Sequence, residues 1–328
     1  MPTTVNSAFA QFLKETVNLE TERSKTARSS RDWLIRQINS LPERETDFPK
    51  LVEDFHLHYG SFARKTKTRP LDDIDIMIGL HAHGATHNVI SHDLIKVYTN
   101  SNNLILNSLS NDGNTINSKM VINRFVKSLS NIYQYKSAEV NRRHEAAVLN
   151  LSSYDWSFDI VPCFQATDGY YIIPDGNGNW KKTDPRLDKS KTERINQAHD
   201  GNILNVIRIV KYWNKRRVVN TIPSYLLENM ILNYYEIQNI KATSYVDMEF
   251  IKVMDYLVNA IYNYISDPKG IQGNLNNLSF DEKSNISNAA LKYSDLAQEA
   301  RRYEKNEDHK SAISKWSEVF GNTFPSYG

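Results

Sequence analysis

Apolar residues recur at three- and four-residue spacing through the first fifty positions: Phe9, Phe12, Leu13 and Val17, then Trp33, Leu34, Ile38 and Leu41 before Pro42. That period predicts amphipathic helices. The pattern then changes. FHLHYG predicts a strand that breaks at Gly60, and IDIMIGL, inside GSFARKTKTRPLDDIDIMIGL, is β-branched and apolar enough for a strand packed on both faces. Met120, Val121, Phe125, Leu129 and Ile132 restore the helical period, predicting a helix over 120–133. A second strand-rich block covers about 139–173, with AAVLNLSS, SFDIVPCF and YYIIPDG; PDGNGNW is a turn and TDPRLDKS its exit.

Past about residue 190 the chain reads as helix. ILNVIRIVKYWNK, PSYLLENMILNYYE and DMEFIKVMDYLVNAIYNYI each carry a broad apolar face, DPKGIQGNLNNLS interrupts them, and NAALKYSDLAQEARRYEKN and HKSAISKWSEVFG follow. The expected organisation is therefore an α/β half, residues 1–188, and a helical half, residues 189–328, with a cleft between them as the default site.

Composition narrows the function. The 328 residues suffice for two domains, and 40 Lys plus Arg against 38 Asp plus Glu leave a net charge of only +2. A duplex binder shows a basic excess, so long nucleic acid is not expected as an obligatory partner. Small, metal-neutralised nucleotides remain open. A single cysteine, Cys163, rules out an intramolecular disulfide and a Cys-rich zinc site; it reads as inert packing in an apolar strand. The amphipathic N-terminus lacks a signal-peptide core and no stretch reaches eighteen apolar residues. A cytoplasmic protein without a membrane role is the expectation.

The chemistry lies in the carboxylates. Side chains alternate along a strand, so Asp73 and Asp75 share one face while Ile74 and Ile76 share the other. Two carboxylates so placed repel unless a cation lies between them, and Mg²⁺ suits such a position. Alone, D-x-D reads better as a strand-start cap. Asp159, between Phe158 and Ile160 in SFDIVP, adds a third strand carboxylate and makes a two-metal site the stronger reading. Gly60 permits close backbone approach, and Ser61, opening a short helix, offers a hydroxyl and N–H groups to phosphate.

GSFARKTKTRPLDDID followed by FDIVP resembles the nucleotidyltransferase superfamily that includes DNA polymerase β. Within it the chain is most similar to the bacterial cGAS/DncV-like nucleotidyltransferases, or CD-NTases, along most of its length; PDGNGNWKKTDP and the terminal DHKSAISKWSEVFGNTFP fit that family. The resemblance implies an α+β fold: a polymerase β-like core, a mixed twisted sheet flanked by helices, with a helical C-terminal domain of the oligoadenylate-synthase/cGAS type. It implies metal-dependent synthesis of a cyclic di- or trinucleotide from nucleoside triphosphates, ATP among them, with release of pyrophosphate, in anti-phage (CBASS) signalling. Two Mg²⁺ ions, with Mn²⁺ as a substitute, would sit on Asp73, Asp75 and Asp159. Gly60, Ser61, Lys211 of IRIVKYWNK, and Ser224 and Tyr225 of PSYLLE occupy family positions for nucleotide contacts: Lys211 on the donor triphosphate, Ser224 and Tyr225 on phosphate and base. A regulatory protein partner is implied, and DNA is not, since the chain has no zinc thumb. The rival readings are a nucleotidyltransferase acting on RNA ends, a small molecule or a protein, and an inactive nucleotide-binding scaffold.

Three further clusters are weighed and set aside. His81, His83, His87 and His92 suggest zinc, but HAHGATHNVISH reads as a solvent-facing loop. Arg142, Arg143 and His144 read as a solvated strand end, and ARRYEKNEDHK as a charged helix face.

Overall fold

The computed structural model describes residues 1–328 except 101, 217–220 and 239. Its strands are β1 (Leu51–Tyr59), β2 (Asp73–Leu80), β3 (Thr86–Ser91), β4 (Leu94–Tyr98), β5 (Glu139–Arg143), β6 (Ala146–Asn150), β7 (Ser157–Gln165), β8 (Tyr171–Pro174) and β9 (Trp180–Thr183). The α-helices are α1 (Val5–Phe12), α2 (Thr21–Asn39), α3 (Leu41–Arg44), α4 (Gly60–Ala63), α5 (Leu104–Ser108), α6 (Ser118–Ser130), α7 (Pro185–Ala198), α8 (Ile203–Arg216), α9 (Ser224–Glu236), α10 (Val246–Ala260), α11 (Phe280–Lys305) and α12 (His309–Phe320).

The chain forms two units. One comprises Glu22–Arg64 and Leu71–Asp188; the other comprises Met1–Thr21, Lys65–Pro70 and Lys189–Gly328. The first is built on a mixed sheet ordered β1-β2-β7-β8-β9-β4-β3, with β6 also paired to β7 and β5 to β6. β7 is its hub: parallel to β2, antiparallel to β6, and continuing at Phe164 and Gln165 into β8. Ile74, Ile76 and Ile78 of β2 and Phe158 and Ile160 of β7 are buried on one face, as the alternation of a strand demands. Trp180, fully buried, packs on Phe164 at 5.1 Å and donates its indole N–H to the Ile116 carbonyl.

The second unit is a helical bundle around an aromatic centre. Phe9 meets Trp316 edge-on at 4.8 Å, Phe12 meets Tyr212 at 5.2 Å, and Phe250 meets Phe320 at 5.0 Å. This corrects the expected partition, in which residues 1–188 were all one domain. Val5, Ala8, Phe9 and Phe12 form a buried stripe at helical spacing whose apolar partners come from the C-terminal helices, so residues 1–21 fold with the later half of the chain. Lys65–Pro70, in the middle of the nucleotidyltransferase-like segment, also falls in the helical unit.

Three elements differ from the expected set. Half of HAHGATHNVISH is strand: β3 pairs with β4 as a hairpin turning at His92 and Asp93, and its largely exposed side chains, Val89 and Ile90 among them, hide the alternation that marks a strand. TDPRLDKS, the exit from the strand block, runs from the last residue of β9 straight into a helix, α7. α11 starts at Phe280, eight residues before the expected NAALKY, because Ser279 and Glu282 form a reciprocal capping box that closes its first turn. No helix among the described residues is long and apolar enough to cross a membrane.

The aromatic centre yields a test. Phe9→Ala should lower the unfolding free energy by about 3–5 kcal/mol, read by denaturant titration; an unchanged midpoint would show that α1 does not anchor this core.

Candidate active site

β1 and β2 run antiparallel with Tyr59 opposite Asp75, and β2 and β7 run parallel with Asp75 opposite Asp159 and Asp73 opposite Ser157. Neighbouring strands lie about 4.8 Å apart, so Asp75 stands between Asp73 on its own strand and Asp159 on the next, all on one face and all half-buried. Beneath them the same face closes over with Met77, Cys163 and Tyr171. Burial pushes the Cys163 thiol far above its ordinary value, as inert packing requires.

Gly60 explains how Asp75 reaches its place. The residue has φ +70°, and a Cβ built on it would lie 1.7 Å from the Asp75 Oδ2 atom. Only glycine leaves room for that carboxylate and adopts that backbone without strain. The chain turns there directly into α4, which carries Ser61 in its first turn. Gly60, Ser61 and the three aspartates thus occupy one corner of the sheet unit, by way of two strand registers and one turn.

In the helical unit the expected residues divide. Ser224 is exposed at the start of α9, after Pro223. Tyr225, half-buried, is held by a loop that sequence reading passed over as a break. The Asp267 carboxylate accepts the backbone N–H groups of Lys269, Ile271 and Gln272 and the Tyr225 hydroxyl at 3.2 Å. Lys269 pairs with Asp267 at 3.0 Å and sets its ammonium over the Tyr225 ring, 4.3 Å from the centroid, donating also to its hydroxyl. Burial pushes Asp267 up, but the Gln272 N–H and Lys269 outweigh it and leave the carboxyl below its ordinary range. The legible signal was an aspartate opening DPKG, a residue type that folds loops back on itself.

Lys211, the expected triphosphate contact, lies on α8. It is buried, and its ammonium is engaged by Glu228 at 2.7 Å and by the Thr66 carbonyl at 3.1 Å.

The chain is similar over its whole length to a probable cyclic nucleotide synthase of Bacillus cereus strain VD146, with 45% identity across 100% of this chain and 99% of that one. It belongs to the bacterial cGAS/DncV-like nucleotidyltransferases. Residues 102–196 match the Second Messenger Oligonucleotide or Dinucleotide Synthetase domain. The fold is shared with E. coli MS115-1 CdnC solved with ATP (TM-score 0.71, 18% identity, 98% of this chain and 99% of that one). It is shared equally with the same CdnC in complex with HORMA-deltaN (TM-score 0.71, 16% identity, 98% of each chain). Vibrio cholerae DncV, a cyclic AMP-GMP synthase bound to its linear intermediate, matches at TM-score 0.71 with 12% identity over 99% of this chain and 98% of that one. This CD-NTase is accordingly a nucleotidyltransferase, of a family that makes cyclic oligonucleotide second messengers.

The acids of this CD-NTase fit a hard cation. Every donor is a carboxylate oxygen, and the bare Cα of Gly60 leaves Asp75 an oxygen in the space a side chain would fill. Among the described residues no group of three or more His, Cys, Asp or Glu is gathered closely enough to hold a metal ion by itself; Mg²⁺ is commonly bound by one or two carboxylates together with waters and substrate phosphates. Tyr59 is a residue the sequence reading missed. Burial first, then the charges of Asp75, Asp159 and Glu145, push its phenol well above its ordinary value, so it is held as a neutral hydroxyl among the acids. The histidine segment is accounted for locally: His87 Nε2 meets the Tyr170 hydroxyl at 2.8 Å, and the His83 N–H donates to His81 Nδ1 at 3.1 Å.

Gly60→Ala tests the corner. The added methyl should displace Asp75 and cut turnover about a hundredfold or more with the circular dichroism spectrum unchanged; activity near wild type would refute the geometry.

Proposed function

We propose that this CD-NTase joins nucleoside triphosphates into a cyclic di- or trinucleotide at Asp73, Asp75 and Asp159, and that it does so in anti-phage signalling. The observation that carries the assignment is the register pairing Asp75 with Asp159 over the bare Cα of Gly60. Asp73, Asp75 and Asp159 would hold two Mg²⁺ ions, or Mn²⁺ in their place. Such ions, when bound, supply neutralisation of the triphosphate and of departing pyrophosphate and acidify the acceptor hydroxyl.

The chain's own groups do the rest. Asp159 takes the proton of the attacking ribose hydroxyl as general base. Ser61 donates to the phosphates from the first turn of α4. Ser224 donates to phosphate from the start of α9, and Tyr225 stacks on a base, a contact worth about 1–3 kcal/mol, with its ring fixed from one side by Lys269. Attack on the α-phosphorus gives a linear product, and a second attack closes the ring. ATP among the substrates and a regulatory protein partner belong to the same proposal, supported by the likeness to CdnC, which has been solved with ATP and with HORMA-deltaN.

Purified protein incubated with ATP, GTP, CTP, UTP and Mg²⁺ or Mn²⁺ should yield a phosphatase-resistant product whose mass gives ring size and base composition. Asp73→Asn combined with Asp75→Asn should lower its formation at least about a hundredfold and leave the melting temperature nearly unchanged. Retained turnover would sink the scheme, and a product that requires an added RNA or small-molecule acceptor would favour the broader nucleotidyltransferase reading.

A further inference from the structure

DPKGIQGNLNNLS reads in sequence as no more than a gap between two helices. In the structure it is a closed loop tied to the end of α10. The Asp267 N–H donates to the Gly273 carbonyl at 2.9 Å and the Leu275 N–H to the Ile265 carbonyl at 2.8 Å. Asn276 donates its amide to the carbonyls of Ile261 at 2.7 Å and Asn263 at 3.0 Å, and Asn274 accepts from the Ile265 N–H at 3.0 Å. The two charged side chains of this loop, Asp267 and Lys269, are only 0% and 9% exposed.

Burying a carboxylate and an ammonium is costly unless each finds a partner, and here both are turned on one ring. The Tyr225 hydroxyl donates to Asp267 at 3.2 Å and accepts from Lys269, whose ammonium also lies 4.3 Å from the ring centroid. A phenol hydroxyl has one proton to give and accepts through its oxygen; both functions are engaged by the loop. We infer that Asp267 and Lys269 are positioning residues: they lock Tyr225 as a stacking platform that presents a ring face to a base and takes adenine, guanine, cytosine and uracil alike. Stacking tolerates any base, because every base has a π-face, and a hydroxyl committed to the loop does not read base edges. Tyr225, Asp267 and Lys269 all lie in the helical unit. The inference rests on the reading that Tyr225 stacks on a base.

A double-mutant cycle tests it, since a residue acting through Tyr225 loses its effect once the ring is gone. Lys269→Met, Tyr225→Ala, the double variant, Tyr225→Phe and Lys269→Arg, all in the full-length chain, are titrated by calorimetry with the α,β-methylene analogues of ATP, GTP, CTP and UTP in Mg²⁺. These analogues keep base and triphosphate and cannot release pyrophosphate, so the readout is affinity. Tyr225→Ala should weaken binding about five- to a hundredfold. Lys269→Met should weaken it about three- to thirtyfold, and each loss should agree across the bases within about threefold. The double variant should bind within about twofold of Tyr225→Ala. Lys269→Arg keeps a cation over the ring and should stay within about threefold of wild type.

Losses that add in the double variant would show Lys269 acting on the nucleotide directly, and a loss confined to some of the bases would show the ring reading base identity; either result overturns the platform. Should Lys269→Met melt below the assay temperature, Tyr225→Phe decides, because it keeps the ring and both charges and removes only the hydroxyl. A weakening of about two- to tenfold, equal across the bases, upholds the lock; wild-type affinity, or a changed order among the bases, refutes it. Tyr225→Ala separates the two readings. If it leaves every affinity unchanged, base stacking itself is wrong and the platform falls with it; if it weakens binding while Lys269→Met does not, only the lock is overturned.

Discussion

Parallel pairing of β2 with β7 places Asp75 directly across from Asp159, and the remainder of the candidate site in the sheet unit is arranged around that pair. Acidic side chains on adjacent strands of one face repel, so the register has to be held by something stronger than the acids themselves. It is held by the opposite face, where Ile74, Ile76 and Ile78 interlock with Phe158 and Ile160 in the buried layer. Slipping β2 by one residue would bring its aspartates into that apolar layer and its isoleucines out of it. The apolar face thus enforces the geometry of the polar one.

Glycine and tyrosine finish the corner from β1. Gly60 clears the volume that Asp75 occupies, and Tyr59 adds a neutral hydroxyl kept protonated by burial and by the neighbouring acids. The helical unit uses a different device. Asp267 gathers three backbone N–H groups, pairs with Lys269 and holds the Tyr225 hydroxyl, so an aromatic ring proposed to meet a base is fixed before any base arrives. Preorganisation of this kind lowers the ordering cost of binding.

The strap at Lys65–Pro70 gives the fold its most unusual division of labour. Six residues between Ser61 and Asp73 pack with the helices, held by Arg208, Lys211, Lys215 and Glu228 and by the bonds of their own Arg69 to Lys14, Val17 and Asn18. Buried polar groups demand partners, and a strap carrying Thr66, Lys67 and Thr68 in buried positions can exist only where another element supplies them. The basic stripe on α8 answers that demand for the Thr66 carbonyl and the Thr68 hydroxyl.

Local pattern was enough to determine the alternation that puts Asp73 and Asp75 on one face, the apolar strand that carries Asp159, the glycine turn before Ser61 and the helical second half, because each depends on residues within a few positions of one another. The capping box that starts α11 was equally legible, as Ser279 and Glu282. The N-terminal helix carries its apolar stripe in the sequence, but nothing local says that the stripe meets Trp316 and Phe320, some three hundred residues away. Nor does local sequence distinguish a lysine facing phosphate from one facing a carboxylate: Lys211 sits at the same helical spacing in either case. Only the folded chain brings Glu228 and the Thr66 carbonyl within hydrogen-bond reach of that lysine, because one lies on α9 and the other in a loop far away in sequence.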